Sequence, residues 1–257
     1  MTHPLNRIAL ILLAFLALGF VGPDKRKITI FLIGDSTMSL KEEKAYPETG
    51  WGMPFAHFFD TTVLVDNRAK NGRSTRSFIA ENRWQPVVNQ LQAGDYVFIQ
   101  FGHNDESKDK GDRYTTPDEF KKNLSLFVTE ARSKAAVPVL MTPVSRRKFD
   151  ASGKALETHA EYAPLVREVA QAMHASLIDL DEQSIRLYQQ FGDGQSKLLF
   201  NHLEPGEHPN YPDGKTDNTH FNELGARKIA QLVLKNIIAE QPQLAAHIVK
   251  GKSEKAK

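Results

Sequence analysis

The sequence contains no cysteine among its 257 residues. Disulfides, zinc sites with thiolate ligands and lipid-modified cysteines are therefore excluded. The G-x-S-x-G elbow of ordinary α/β-hydrolases is also missing, as are the Gly-rich fingerprints of nucleotide-binding proteins. The net charge is only +2, which is too balanced to indicate a nucleic-acid partner.

The N-terminal segment differs in composition from the rest of the chain. Arg7 precedes fourteen apolar or small residues, 8–21, a run that is short for a membrane span and typical of a signal peptide. We expect residues 1–22 to be a signal peptide cleaved near Gly19, with an uncleaved anchor as the alternative. Either version predicts export, to the periplasm or the medium, and cleavage leaves no stable membrane insertion. Residues 23–243 then form one domain, and 244–257 are expected to be a charged, disordered tail.

Ser36 has the sequence surroundings of a nucleophile. Residues 28–33 are a continuous apolar or β-branched run, which predicts a strand buried on both faces. The run enters Gly34-Asp-Ser-Thr37, so Ser36 follows the carboxyl end of a central strand, where open α/β sheets bind their ligands. The competing interpretation is that these polar residues cap the next helix.

Four further strands are predicted, and they alternate with helical patterns. This alternation predicts an α/β fold, a three-layer sandwich built on a five-stranded parallel sheet. The expected strands are 61–65, 96–101, 137–142 and 176–180, and the expected helices are 50–60, 84–91, 117–135, 158–174, 181–190 and a last one capped by Asn222. Residues 193–219 are rich in Gly, Pro, Asn and Asp and are expected to form a long loop.

Asp217 lies at the end of this predicted loop, and His220 follows it directly. Their spacing lets the carboxylate accept a hydrogen bond from one imidazole nitrogen while the other nitrogen faces outward. Gly72 follows the second strand and Asn104 the third, so a parallel sheet brings both beside Ser36. A backbone N–H at Gly72 and a side-chain amide at Asn104 could donate to a developing oxyanion, although both residues are also common in turns.

Together these motifs resemble the SGNH (GDSL-type) hydrolase superfamily and, within it, the rhamnogalacturonan acetylesterase family. The resemblance covers about residues 28–240. It is carried by the following stretches: 34–38 (GDSTM), 50–53 (GWGM), 71–74 (NGRS), 100–105 (QFGHND), 142–147 (TPVSRR) and 217–220 (DNTH). It implies a flavodoxin-like strand order 2-1-3-4-5, no cofactor or metal, and removal of O-acetyl groups from pectic polysaccharide through an acetyl-enzyme.

The resemblance also implies the roles of individual residues. Ser36 would be the nucleophile, His220 the general base and Asp217 its orienting partner. The oxyanion hole would comprise the N–H groups of Ser36 and Gly72 and the side chain of Asn104. Sugar-binding candidates near the strand ends are Trp51, Arg73, Arg76, His103 and Arg146, since aromatic faces suit sugar rings and guanidinium groups suit uronate carboxylates.

Several alternatives remain open at this point. The enzyme could act on acetylxylan or on small or lipid esters, and a non-catalytic glycan-binding module is the alternative of another class. A metal site is the remaining possibility, because imidazole and carboxylate groups are frequent in and just after the predicted loop. The residues concerned are His202, His208, Asp213, Asp217 and His220. Their spacing matches no zinc motif, and the sequence does not determine the oligomeric state.

Overall fold

Five parallel strands form the central sheet of the computed structural model, which describes residues 26–250. They are β1 (Ile28–Gly34), β2 (Val63–Asn67), β3 (Tyr96–Gln100), β4 (Val137–Met141) and β5 (Ser176–Ile178). The strand order is β2-β1-β3-β4-β5, and every neighbouring pair is parallel. The predicted fold class and strand order are therefore confirmed. The predicted signal peptide lies outside the described residues.

Helices cover both faces of this sheet. Side chains alternate along each strand, so Ile30 and Leu32 point to one hydrophobic cluster while Phe31 and Ile33 point to the other. The helices are α1 (Gly52–Phe55), α2 (Thr75–Ala80), α3 (Gln85–Gln90), α4 (Pro117–Ser133), α5 (Tyr162–Ala172), α6 (Leu180–Ser196, interrupted at Gly192), α7 (Glu223–Glu240) and α8 (Pro242–Ala245). The first cluster packs against α1, α6, α7 and α8, and the second against α2 to α5.

The prediction of a long loop over 193–219 was wrong for most of that range, because residues 193–196 complete α6 and two strands follow. Strands β6 (Phe200–Leu203) and β7 (Lys215–Phe221) pair as an antiparallel hairpin beside the main sheet. Asp217 and His220 therefore lie on a strand rather than in a loop. The hairpin leads directly into α7, whose cap is Asn222 as predicted; its side chain accepts from Gly225 N at 3.1 Å.

The domain boundary at residue 243 was also placed too early. Leu244 is fully buried in the first cluster. The His247 carbonyl accepts from Asp60 N, and Val249 N donates to the Phe58 carbonyl, both at 2.9 Å. Residues 244–249 are consequently part of the folded body, and the prediction of a tail can apply only to residues outside the described range, 251–257.

Within residues 26–250, no helix combines the length and apolar character that a membrane span requires.

Candidate active site

A cavity of about 410 Å³ opens at the carboxyl edge of the sheet, beside β1. Ser36 comes two residues after β1, Gly72 follows β2 and Asn104 follows β3. Because β1 lies between β2 and β3, these three loop residues converge on the same space. His220 of β7 reaches the cavity from the hairpin. The structure therefore brings together residues that are far apart in the sequence.

Ser36, His220 and Asp217 form a continuous hydrogen-bonded series. His220 Nδ1 lies 2.8 Å from Asp217 Oδ2, and His220 Nε2 lies 2.9 Å from Ser36 Oγ. Since a carboxylate only accepts, Nδ1 carries the proton, and Nε2 is left to accept from the serine hydroxyl. The backbone N–H groups of Thr219 and His220 also donate to Asp217 Oδ1, at 2.8 and 2.9 Å.

These contacts keep Asp217 ionised. Burial by itself raises the pKa of this carboxyl group, but the hydrogen bond and charge of His220, together with the two backbone donors, lower it well below the ordinary 3.8. The carboxylate can thus hold the imidazole in one tautomer and stabilise it when it takes up a proton.

Two backbone N–H groups of residues that line the cavity have no hydrogen-bond partner within the described range. Within residues 26–250, the N–H groups of Ser36 and Gly72 donate to no protein acceptor. Gly72 has φ +75°, and a Cβ added there would lie 3.1 Å from Arg113 Nη1, so glycine suits both the backbone conformation and the narrow space. Asn104 Nδ2 donates to the Arg73 carbonyl at 3.1 Å, which uses one of its two protons.

His103 and Arg146, two of the residues predicted to bind sugar, line the same cavity. The guanidinium of Arg146 donates to Thr219 Oγ1 at 2.9 Å and lies 3.4 Å from Glu106 Oε1. His103 is buried and packs edge-on against His159, with 4.3 Å between the ring centroids. Burial lowers the pKa of His103 well below its usual value, so this ring is neutral in the cavity wall.

Three predicted sugar-binding residues do not line the cavity. Trp51 is fully buried, and its indole N–H donates to Gln100 Oε1 at 2.7 Å, so the prediction of a sugar platform was wrong. Arg73 instead pairs with Glu81, and Arg76 donates to the Tyr114 carbonyl. Trp51 lies between Gly50 and Gly52, whose backbones pack so closely on Met38 that an added Cβ would lie 2.8 and 2.6 Å from its carbonyl oxygen. This close approach places the indole in the interior.

Sequence reasoning missed several cavity residues. Glu48 belongs to the loop after β1, and Lys110 and Arg113 belong to the loop between β3 and α4. Their only sequence signal was a position after a strand at the ligand-binding edge of the sheet, which many surface residues share. The full set of missed residues is Glu48, Asn71, Ser107, Lys110, Arg113 and Thr219.

Most of the residues named for the metal alternative do not lie together in the structure. His202 binds Asn218 Oδ1 at 2.9 Å, and neither it nor Asp213 lines the cavity. Among residues 26–250, the one group of potential ligands consists of Glu48, Asp217 and His220. Two ammonium groups already neutralise its carboxylates, because Lys41 lies 2.7 Å from Glu48 and Lys215 lies 3.7 Å from Asp217.

The parallel α/β sheet carries a serine hydroxyl, an imidazole and a carboxylate in series, and within residues 26–250 the nearby N–H groups of Ser36 and Gly72 have no partner. This is the arrangement of a serine-type ester hydrolase. The comparisons agree with this class. Residues 32–228 match the model of the GDSL-like lipase/acylhydrolase family. The chain is 43% identical over 225 residues to the rhamnogalacturonan acetylesterase RhgT of Bacillus subtilis (strain 168). The aligned region covers 88% of this chain and 96% of that relative.

Solved structures share the fold at lower sequence identity. A Bacillus subtilis protein of known structure is 24% identical to this chain and superposes on it with a TM-score of 0.72. The match covers 84% of this chain and 57% of that longer protein. An acetylxylan esterase from Geobacillus stearothermophilus is 18% identical and gives a TM-score of 0.55, covering 82% of this chain and 94% of its own. The chain belongs to the GDSL-like lipase/acylhydrolase family and is a carboxylic ester hydrolase.

Proposed function

We propose that this protein removes O-acetyl groups from a pectic polysaccharide, most specifically rhamnogalacturonan, with Ser36 as the nucleophile. The observation that carries the proposal is the hydrogen-bonded series from Ser36 through His220 to Asp217 in the wall of an open cavity. The 43% identical relative is named a rhamnogalacturonan acetylesterase, and this supports the choice of substrate.

The reaction takes place in two halves. The Ser36 hydroxyl attacks the acetyl carbonyl while His220 Nε2 takes its proton, and the N–H groups of Ser36 and Gly72 donate to the oxyanion together with Asn104. The tetrahedral intermediate then expels the sugar oxygen, which takes the proton from His220, and an acetyl-enzyme remains. A water molecule, deprotonated by His220, attacks this ester, and the second tetrahedral intermediate expels Ser36 Oγ, which takes the proton back from His220 as the acetyl group leaves as acetate.

The charge of the cavity wall favours an acidic polymer over a neutral one. Lys110, Arg113 and Arg146 contribute three cationic groups. The cavity's acidic residue, Glu48, already lies 2.7 Å from the buried ammonium of Lys41. Galacturonate carboxylates suit guanidinium and ammonium groups, whereas xylan has few such charges.

Acetate release from matched polymers tests this preference. We expect faster release from acetylated rhamnogalacturonan than from acetylated xylan, and we expect a Lys110→Ala/Arg113→Ala variant to lose at least about tenfold in kcat/KM on the acidic polymer, equivalent to ~1.4 kcal/mol. Its turnover of 4-nitrophenyl acetate should stay within about twofold. Lys108→Ala is the matched control, since this exposed lysine of the same loop lies outside the cavity wall.

Other results would select one of the alternatives. Equal or faster release from xylan would favour an acetylxylan esterase, and activity confined to 4-nitrophenyl esters would favour a small-ester hydrolase. Binding to acetylated polysaccharide with no release of acetate would favour a non-catalytic glycan-binding module.

The proposed substrate lies outside the cytoplasm, which agrees with the sequence pattern of residues 1–22. We propose that the protein is exported and that the leader is removed after Gly19. Intact-mass measurement of protein from its native host should then give a chain that begins at Phe20. A mass that retains residues 1–19 would instead indicate an anchor.

A further inference from the structure

We propose that Lys41 is a positioning residue for ester hydrolysis, because its buried ammonium group fixes the turn that carries Ser36 relative to the turn that carries Gly72. The inference rests on the proposed function, in which Ser36 attacks the ester and Gly72 N–H binds the oxyanion. Neither the family pattern quoted above nor the predicted site residues include this lysine.

The ammonium of Lys41 satisfies each of its three donors with a different partner. It lies 2.6 Å from the Ser36 carbonyl, 2.9 Å from Asn71 Oδ1 and 2.7 Å from Glu48 Oε1. Only 2% of the lysine side chain is exposed. Since a lysine has three N–H donors and no acceptor, this set leaves no donor for solvent.

Two of these partners belong to the turns that carry the reacting groups. The Ser36 carbonyl is on the nucleophile residue itself, and a contact there restrains its backbone. Asn71 immediately precedes Gly72, so the N–H proposed to bind the oxyanion belongs to the Asn71–Gly72 peptide. Ser39 Oγ also donates to Asn71 Oδ1, which fixes the same side chain from a second direction. Lys41 therefore links two loops that come from different strands, β1 and β2.

The third partner connects this lysine to the triad carboxylate. Glu48 Oε2 lies 3.9 Å from Lys215 Nζ, and Lys215 Nζ lies 3.7 Å from Asp217 Oδ2. Charges of opposite sign thus alternate from Lys41 through Glu48 and Lys215 to Asp217. Burial lowers the pKa of Lys41 below its ordinary 10.5, and the Glu48 carboxylate, which favours the charged form, opposes this shift without cancelling it. The ammonium keeps its three hydrogen bonds only while it is charged.

A purely structural explanation would give Lys41 one task, which is to neutralise the buried carboxylate of Glu48. The two explanations make different predictions for a variant that removes both charges. A neutral pair at positions 41 and 48 restores charge balance, but it cannot restore the hydrogen bonds to Ser36 and Asn71.

The test compares Lys41→Met with the double variant Lys41→Met/Glu48→Gln, using 4-nitrophenyl acetate and thermal unfolding. We expect the single variant to lose both stability and activity. In the double variant we expect Tm to return close to the wild-type value while kcat stays about 10²-fold low and KM changes less than about threefold, as for a misplaced reacting group. Lys44→Met is the control, because Lys44 is on the same loop and 84% exposed, and it should retain wild-type kcat.

A double variant with wild-type kcat would overturn the proposal and leave Lys41 as a charge partner only. If both Lys41 variants fail to fold, Asn71→Ala decides: its kcat should fall about tenfold while KM changes less than about threefold, and wild-type kcat would refute the proposal. Ser36→Ala is assayed in parallel. Turnover by that variant would refute the proposed function itself, whereas an inactive Ser36→Ala beside a fully active double variant would refute only the role of Lys41.

Discussion

Burial decides what Trp51 does, although its sequence surroundings favour a sugar contact. Its side chain is fully buried and donates to Gln100, whose amide in turn donates to Thr37 Oγ1 at 2.6 Å, one residue after Ser36. The indole therefore stabilises the turn that carries Ser36 from the interior of the protein, away from any substrate.

Replacing this indole separates a supporting role from a binding role. We expect Trp51→Phe to lower the free energy of unfolding by about 1–3 kcal/mol, because Gln100 Oε1 is left buried without its donor. The KM for acetylated polysaccharide should not change. Urea unfolding and steady-state kinetics measure both quantities, and a raised KM with unchanged stability would contradict the structural assignment.

Asn104 provides the one side-chain donor of the proposed oxyanion hole. Removing such a donor typically costs about 10²–10³-fold in kcat, because the interaction strengthens only when charge develops on the oxygen. We expect Asn104→Ala to show a loss in this range with little change in KM for 4-nitrophenyl acetate. A variant with unchanged kcat would exclude Asn104 from the oxyanion hole.

The depressed pKa of Asp217 predicts a pH-dependent contribution to stability. A carboxyl group whose folded-state pKa lies below its unfolded value of 3.8 stabilises the protein fully above that value, and the stabilisation is lost as the pH falls through the folded-state pKa. The difference in unfolding free energy between wild type and Asp217→Asn should therefore shrink as the pH falls below 3.8. Denaturant titrations across this range measure it, and a difference that grows towards acid pH would contradict the assignment.

At the scale of elements, the hairpin β6–β7 depends on its junction with α7. A Cβ added to Gly225 would lie 1.8 Å from the Leu199 carbonyl oxygen, so the first turn of α7 can pack against the segment before β6 only with glycine there. This close approach sets the position of β7, and β7 carries both Asp217 and His220.

Two glycine variants test this junction. Gly225→Ala should lower the free energy of unfolding by at least about 1–3 kcal/mol through overpacking, and it should lower kcat as the hairpin shifts. Gly194→Ala is the matched control, since this helical glycine has no atom within 4 Å of an added Cβ, and it should be neutral or more stable by up to about 1 kcal/mol. Equal unfolding midpoints for the two variants would refute the role of the junction.

The same hairpin marks the limit of what the sequence could predict. Strands β1 and β3 were predictable because their apolar runs are continuous, and the cap at Asn222 because its side chain acts locally. Strand β7 contains a single apolar residue, Phe221, so no periodic pattern identifies it and its pairing depends on tertiary contacts.

The residues of the candidate site likewise include some that the sequence could predict and some that it could not. Ser36, Gly72 and Asn104 follow predicted strands, so strand order alone places them together. The cavity positions of Lys110 and Arg113 depend on how one irregular loop folds, with Thr115 N bonded to the Asp105 carbonyl, and a single sequence does not specify such a contact.

At the scale of the whole molecule, charge is nearly balanced but locally concentrated. The net charge is +2, yet three cationic side chains line one cavity. Attraction between such a cavity and an anionic polymer is screened by salt, with a Debye length of about 10 Å at 0.1 M.

Salt should therefore affect the two kinds of substrate differently. We expect kcat/KM for acetylated rhamnogalacturonan to fall several-fold between about 0.02 and 0.5 M NaCl, while the value for neutral 4-nitrophenyl acetate changes little. Parallel initial-rate measurements provide the comparison. The same salt response for both substrates would contradict a cationic recognition surface.

The central claim concerns one hydroxyl group, and acetate release by Ser36→Ala tests it most directly. Wild type and variant are incubated with acetylated rhamnogalacturonan at equal concentrations, and the folded state of the variant is verified by circular dichroism. The account predicts that the correctly folded variant loses at least about 10⁴-fold in kcat, leaving only the residual effect of binding and the oxyanion donors. A folded variant that releases acetate at the wild-type rate would contradict it.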